Sequence, residues 1–229
     1  MSQLPVLAIR PEPGLSATLE AGRAAGLRIA GFPLFEVMPV CWEPPDPATL
    51  GALLVGSANV FRHGGEALKT FRELPVLAVG ETTAWAARDA GFFVEAVGTG
   101  GLQSLIDKHG TAAAHWLRLA GEEHVPLDLP THLKLTTRVI YRVEPVDISS
   151  ERRVLLESNV VVLLHSAAAG RHFAQCCEKQ GIDRSRITLA ALGPRILSDV
   201  GEGWKSVHSA ASPSEGALLA LAKRLSMSI

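Results

Sequence analysis

Five short segments of this chain have the composition of anion-binding turns: Ser57-Ala58-Asn59, Gly80-Glu81-Thr82-Thr83, Gly121-Glu122, Ser166-Ala167-Ala168 and Gly193-Pro194-Arg195. Each follows an aliphatic run and is expected to open a helix. A helix start leaves backbone N–H groups unpaired and carries the positive end of the helix dipole, so it attracts carboxylate or phosphate. For any one residue a structural duty weighs equally, because Ser57, Thr83 and Ser166 are also good helix caps. Five such turns directed into one inter-domain gap shift the balance toward binding. Arg10, Arg62, Arg118, Arg142, Arg171 and Arg195 lie near the same strand ends and helix starts. Solvated surface is the usual fate of each, but an acidic ligand would recruit several.

Tyr141 stands apart as the only tyrosine of the 229 residues. The segment Val139-Ile140-Tyr141-Arg142-Val143-Glu144-Pro145-Val146 resembles Pro33-Leu34-Phe35-Glu36-Val37-Met38-Pro39-Val40, which sets Phe35 opposite Tyr141. An apolar ring suffices in one copy, so the hydroxyl added in the other asks for a reason. The plain alternative is an aromatic plug with its OH in water. Other chemical signals are broken. Gly98-Thr99-Gly100 begins a dinucleotide fingerprint, but Gln103 replaces the third glycine, which leaves a turn before a helix. There is no P-loop, no HExxH and no CxxC. His172 and Cys176, four apart on an expected helix, are half a metal site without a companion pair. No metal and no cofactor are expected.

The elements that must position these residues come in two copies. Val76–Val97 (VLAVGETTAWAARDAGFFVEAV) and Ile187–Val207 (ITLAALGPRILSDVGEGWKSV) share one pattern of apolar run, glycine, helical segment, glycine, aromatic and second apolar run. Leu53–Asn59 precedes the first copy as Val162–Ala168 precedes the second. Strands are expected at Val6–Ile9, Leu27–Phe32, Leu53–Val55, Val76–Val79, Phe93–Val97, Trp116–Ala120, Leu133–Tyr141, Val160–Leu164, Ile187–Leu192 and Trp204–His208. Helical segments alternate with them, the pattern of βαβ units and parallel sheets. In open sheets of that kind ligands bind beyond the carboxyl ends of the strands. Ser212, Pro213 and Glu215 read as N-cap, first helical residue and capping-box acid of a last helix. The Pro-flanked segments 36–47 and 142–148 both look like linkers. If the chain crosses between domains at both, residues 41–138 form one domain, residues 1–36 join 146–229 in the other, and 37–40 and 139–145 connect them. The alternative is a tandem split near residue 112.

Composition is that of a globular α/β protein: 47% hydrophobic, 20% charged and only 5% aromatic. A net charge of −1 offers no general attraction to nucleic acid or to an anionic membrane, so an anionic ligand must be held by local charge. No apolar run approaches the roughly 20 residues of a membrane span. Met1-Ser2-Gln3 lacks the basic start of a signal peptide. Three cysteines, two of them adjacent, make neither a disulfide framework nor a zinc pattern. A soluble cytoplasmic protein is expected, and a monomer, because no sustained apolar stripe is left over.

Taken in order, Val6-Leu7-Ala8-Ile9-Arg10-Pro11, Ser57-Ala58-Asn59, Val79-Gly80-Glu81-Thr82-Thr83-Ala84, Tyr141-Arg142 and Leu192-Gly193-Pro194 resemble the uroporphyrinogen-III synthase family over essentially the whole chain. The resemblance implies an α/β protein of two flavodoxin-like parallel-sheet domains joined by two linker strands, hence the crossed arrangement. It implies a cofactor-free cyclising lyase of tetrapyrrole biosynthesis. The implied substrate is hydroxymethylbilane, a linear tetrapyrrole with eight carboxylates, cyclised with inversion of its last ring and loss of water. A transient contact with hydroxymethylbilane synthase would fit that chemistry. By position, Tyr141 matches the family tyrosine suited to assist departure of the hydroxyl, while Ser57, Thr83 and Ser166 match polar residues of the family's cleft. The implied substrate-binding set is Arg10, Ser57, Ala58, Asn59, Gly80, Thr82, Thr83, Gly121, Ser166, Ala167, Gly193, Pro194 and Arg195. One departure stands out: the family commonly has Thr or Ser after the second Gly-Pro, where this chain has Arg195-Ile196. Arg195 could bind a carboxylate there instead. Two other classes compete. A non-catalytic hinged binder of small anions explains the turns but not Tyr141. A sugar-nucleotide transferase would want an acidic metal site or a phosphate clamp, and neither is evident.

Overall fold

A computed structural model describes residues 3–112 and 114–227. In chain order the elements are β1 (Val6–Ala8), α1 (Gly14–Ala24), β2 (Ile29–Gly31), β3 (Phe35–Pro39), β4 (Ala52–Val55), α2 (Asn59–His63), β5 (Val76–Val79), α3 (Glu81–Asp89), β6 (Val94–Gly98), α4 (Gly101–His109), β7 (Ala114–Gly121) and β8 (Leu133–Pro145). They continue with α5 (Ser150–Arg153), β9 (Val160–Leu164), α6 (Ala167–Lys179), β10 (Ile187–Ala191), β11 (Ser206–Ser209) and α7 (Glu215–Met227). The chain divides into two compact units, Met1–Glu36 with Glu144–Ile229, and Val37–Val143.

In the first unit the strands run β11-β10-β9-β1-β2, all parallel. In the second the order is β3-β8-β7-β4-β5-β6, parallel from β8 to β6. The sequence repeat matches β4, β5 and β6 with β9, β10 and β11. On that correspondence β8-β7-β4-β5-β6 and β2-β1-β9-β10-β11 are one spatial order. The first unit simply enters its sheet on the strand equivalent to β7, a circular permutation of the second. Register extends the match to single residues. Ala8 pairs with Leu163 and Gly31, and Arg118 pairs with Leu54 and Thr137. Since Leu163 repeats Leu54, Ala8 occupies the place of Arg118. Gly31 then occupies the place of Thr137, and four residues on, Phe35 that of Tyr141. Even the ring contacts recur: Phe35 lies 5.2 Å from His172, and Tyr141 lies 6.4 Å from His63.

The strands are continuous aliphatic runs because both faces of each sheet are covered. Along β9, Val160, Val162 and Leu164 join one core with Phe173 and Leu189, while Val161 and Leu163 join another with Leu218 and Ala222. Along β4, Leu53 and Val55 face Phe71 and Leu117, while Ala52 and Leu54 face Trp116 and Leu105. Among the described residues no helix is long and apolar enough to cross a membrane.

Two local expectations are corrected. The last helix begins at Glu215 rather than near Pro213, and Ser214 Oγ, not Ser212, accepts from the Ala217 N–H at 3.3 Å. Glu215 does not close a capping box, because its carboxylate is taken by Arg10, Thr18 and His165. A tertiary ion pair outweighs a local cap. The expectation that all five turns open helices also fails. Gly80 and Ser166 precede α3 and α6, helices of 9 and 13 residues. Ala58 precedes only the five-residue α2. Pro194–Leu197 is a single 3-10 turn, in a segment one residue shorter than its repeat. Gly121 opens no helix, since Pro126 and Pro130 interrupt the connection to β8.

Candidate active site

In the second unit the chain steps outward from β4 to β5 and β6, then returns to β7 and β8 on the other side of β4. The connections therefore diverge between β4 and β7, the switch point where parallel sheets accept ligands. A recess of about 250 Å³ lies there. Gly56 and Ser57 line it from the end of β4, Arg118 and Gly121 from β7, His124 from the loop beyond, and Tyr141 from β8.

Tyr141 is half-buried and the end of its ring packs against Gly121. A Cβ at position 121 would fall 2.7 Å from Tyr141 Cε2, 2.8 Å from Cζ and 3.0 Å from the hydroxyl oxygen. A side chain at position 121 would require the Tyr141 ring to shift. The Glu122 N–H donates to the Tyr141 carbonyl at 2.9 Å, which pins β8 to the end of β7. Ser57 Oγ accepts from the Asn59 N–H at 3.2 Å, and the Asn59 side chain accepts from Arg62 at 3.1 Å. His124 Nδ1 lies 2.8 Å from the Gly121 carbonyl and 3.0 Å from that of Glu122, which folds the loop back over the strand end. Arg118 is 4% exposed, and its Nη1 donates to the Val125 carbonyl at 2.8 Å.

Of the residues expected in a binding site, Ser57, Gly121 and Tyr141 meet at this recess, with Ala58 and Asn59 just beyond Ser57. Gly80, Thr82 and Thr83 stand one strand further out, at the end of β5. Gly80 takes φ +75° with open space above it, Thr82 is exposed and Thr83 is buried. Among the other residues lining the recess are two polar groups outside the expected binding set, Arg118, already noted as a cation near a strand end, and His124. Arg118 was legible as one of six arginines near strand ends, but the usual solvated fate expected of each does not hold for it, since it sits inside the buried run Trp116–Ala120. His124 carried no signal.

The first unit has its own switch point, between β1 and β9, and it is closed from within. Arg10 Nη1 lies 3.2 Å from Glu215 Oε2 and 3.4 Å from Thr18 Oγ1, Thr18 donates to Glu215 Oε1 at 2.7 Å, and His165 Nε2 lies 3.2 Å from Glu215 Oε2. Burial holds the His165 imidazole below its ordinary range, Arg10 pushes the same way, and Glu215 opposes both. On the next turns Ser166 Oγ caps α6 by accepting from the Ala169 N–H at 3.1 Å, and Ala167 begins that helix. Gly193 is partly covered, while Pro194 and Arg195 are exposed.

The half metal site gains a third group in the folded chain. Ligand atoms of Asp147, His172 and Cys176 lie within 4.8 Å of one another. Each already has a protein partner: Lys179 Nζ holds Asp147 at 2.7 Å, the Val146 carbonyl holds His172 Nε2 at 3.0 Å, and Cys176 Sγ lies 3.8 Å from Asp147. Burial and then the Asp147 charge push the pKa of the Cys176 thiol up. The cluster clasps the Val146-Asp147 segment to α6.

Comparison with known proteins agrees with this architecture. A family model described as uroporphyrinogen-III synthase HemD matches residues 16–220. The structure of uroporphyrinogen-III synthetase from Helicobacter pylori is similar with a TM-score of 0.64 at 18% identity, covering 97% of this chain and 100% of that one. That likeness establishes the fold. Uroporphyrinogen III synthase from Thermus thermophilus aligns over 96% of this chain and 97% of its own at 19% identity, with a TM-score of 0.42. No curated protein matches the chain.

Two outcomes follow from the geometry. Gly121→Ala should force the Tyr141 ring aside and cost about 1–3 kcal/mol of stability, measurable by urea denaturation. Acid should weaken the fold through its histidines. Burial holds the pKa of His165 below the ordinary 6.5, and burial together with the neighbouring Arg62 charge does the same for His63. Between the folded and unfolded values the unfolded chain binds more protons, so stability is full above about pH 6.5 and falls as pH drops through that window. His165→Gln should flatten part of that slope in urea titrations at successive pH values.

Proposed function

The chain belongs to the uroporphyrinogen-III synthase family, cyclising lyases of tetrapyrrole biosynthesis, and from that premise we propose how its residues divide the work. The reaction closes hydroxymethylbilane to uroporphyrinogen III with inversion of ring D and loss of water. Departure of the terminal hydroxyl leaves an azafulvene-like carbon, a strong electrophile. Pyrrole carbons attack such a centre without a nucleophilic side chain. Attack by the substituted carbon of the last ring gives a spiro intermediate, which fragments and recloses with that ring inverted. Closure at the free position gives the uninverted isomer instead, so the protein must choose which carbon attacks.

Tyr141 is proposed as the group that donates to the departing hydroxyl. What supports this role is its place in the switch-point recess, with its ring packed so close to Gly121 that a side chain there would displace it. Its hydroxyl makes no hydrogen bond to the described residues and is available to a ligand. Ser57, Ala58, Asn59, Gly80, Thr82, Thr83 and Gly121 of one unit, and Arg10, Ser166, Ala167, Gly193, Pro194 and Arg195 of the other, are proposed to bind substrate carboxylates. Backbone amides of the turns share this work with the Ser57 and Ser166 hydroxyls, which accept from the Asn59 and Ala169 N–H groups and keep an O–H to donate to a carboxylate. Arg10 would exchange Glu215 for a substrate carboxylate. We further propose a cytoplasmic monomer that takes its reactive substrate from hydroxymethylbilane synthase by transient contact.

Magnitudes rank the contributions. Holding the reacting atoms in place supplies up to roughly 7–11 kcal/mol. A placed acid supplies typically about 10²–10⁴-fold, or roughly 3–5 kcal/mol. Positioning dominates. Porphobilinogen and a deaminase, incubated with this protein and oxidised, should yield the type III isomer on chromatography. Type I product alone would refute the activity. Tyr141→Phe should lower kcat by about 10²-fold or more while leaving type III as the main isomer, and an unchanged turnover would remove the assigned role.

A further inference from the structure

The Arg118 guanidinium is a buried cation with an unfilled donor. The residue is 4% exposed, its Nη1 donates to the Val125 carbonyl, and its buried Nε has no partner among the described residues. None of the carboxylates forming ion pairs among the described residues reaches it, although Glu123 lines the same recess. Arginine does not escape burial by losing its proton. A charge withdrawn from water without a counter-ion is unfavourable, so some compensating anion is called for.

In the first unit the switch-point arginine, Arg10, is neutralised by Glu215 of the same unit. Among the described residues of the second unit no carboxylate forms an ion pair with Arg118. The second unit also departs from the repeat twice in the same place: Arg118 stands where the first unit has the fully buried Ala8, and Tyr141 where it has Phe35. Both added polar groups line one recess. Packing alone does not require either, since the apolar copies fill the equivalent positions.

We propose that Arg118 binds one carboxylate of the substrate through its unfilled guanidinium edge, anchoring that arm in the recess beside Tyr141. This rests on the synthase activity proposed above. The planar fork accepts a carboxylate side-on through two parallel hydrogen bonds, a geometry an ammonium cannot copy. The anchored arm would set which pyrrole approaches the phenol.

The experiment measures steady-state kinetics with hydroxymethylbilane, and fluorescence titration with uroporphyrin III as the free octa-acid, for wild type, Arg118→Met and Arg118→Lys. Wild-type formation of type III isomer tests the activity by itself, and its absence would remove the premise and leave no substrate for this arginine. Given that activity, Arg118→Met should raise KM and the uroporphyrin Kd by about 10- to 100-fold, the loss expected for a charge-assisted hydrogen bond. Its melting temperature should match or exceed that of wild type, because an unpaired buried charge has been removed. Arg118→Lys should lie between the two, and it decides the matter should the methionine variant fail to fold. A KM and Kd within about twofold of wild type in the folded variants, or a fall in kcat alone, would overturn the proposal.

Discussion

Strands in the centre of both sheets are covered by helices and loops on two faces, so nearly every side chain they carry must be apolar. Val160 to Leu164 shows this in five consecutive buried residues, divided between two cores. Such a sheet excludes water along its length and leaves polar chemistry one place to go, the turns beyond the carboxyl ends. There the backbone stops pairing, amides become available, and connections that leave in opposite directions open a gap. The turns at the strand ends, the lone tyrosine and the buried arginine all stand where this constraint puts them.

Duplication makes the constraint informative. Two copies of one strand order have equivalent switch points, and the register identifies equivalent residues. One copy closes its gap with its own carboxylate, since Glu215 ties Arg10, Thr18 and His165 together. The other leaves a recess lined by a phenol, an arginine and a glycine. A structural role for Tyr141 or Arg118 would have been served by the apolar residue found in the sister position. Difference between copies under a shared fold is thus a better guide to chemistry than the presence of a polar residue.

That division of labour suits a substrate reactive enough to form bonds unaided. An electrophilic carbon and electron-rich pyrroles need no nucleophile from the protein. They need a geometry that favours attack at a substituted carbon over a free one. Space-limited contacts such as Gly121 against Tyr141, and a buried cation facing the same recess, can constrain geometry without adding covalent steps.

Much of this was legible in the residues. The repeat, the alternation of aliphatic runs with helical segments and the pairing of Phe35 with Tyr141 are local patterns, and local patterns survive in sequence because period and turn chemistry are set by neighbours. The capping of α7 by Ser214, the 3-10 turn at Pro194 and the missing helix after Gly121 were not legible, because each is settled by competition with distant groups or by the length of a connection. The charge within Trp116–Ala120 was visible in sequence, but not that its Nε would be buried without a partner, and His124 gave no sign at all. Sequence alone determined the doubled α/β architecture and the types of group at the strand ends, since those follow from nearest-neighbour sterics and hydrophobic period. Tertiary structure decided which cation would be satisfied internally and which would face a recess, because burial and pairing depend on groups that folding brings together from distant parts of the chain.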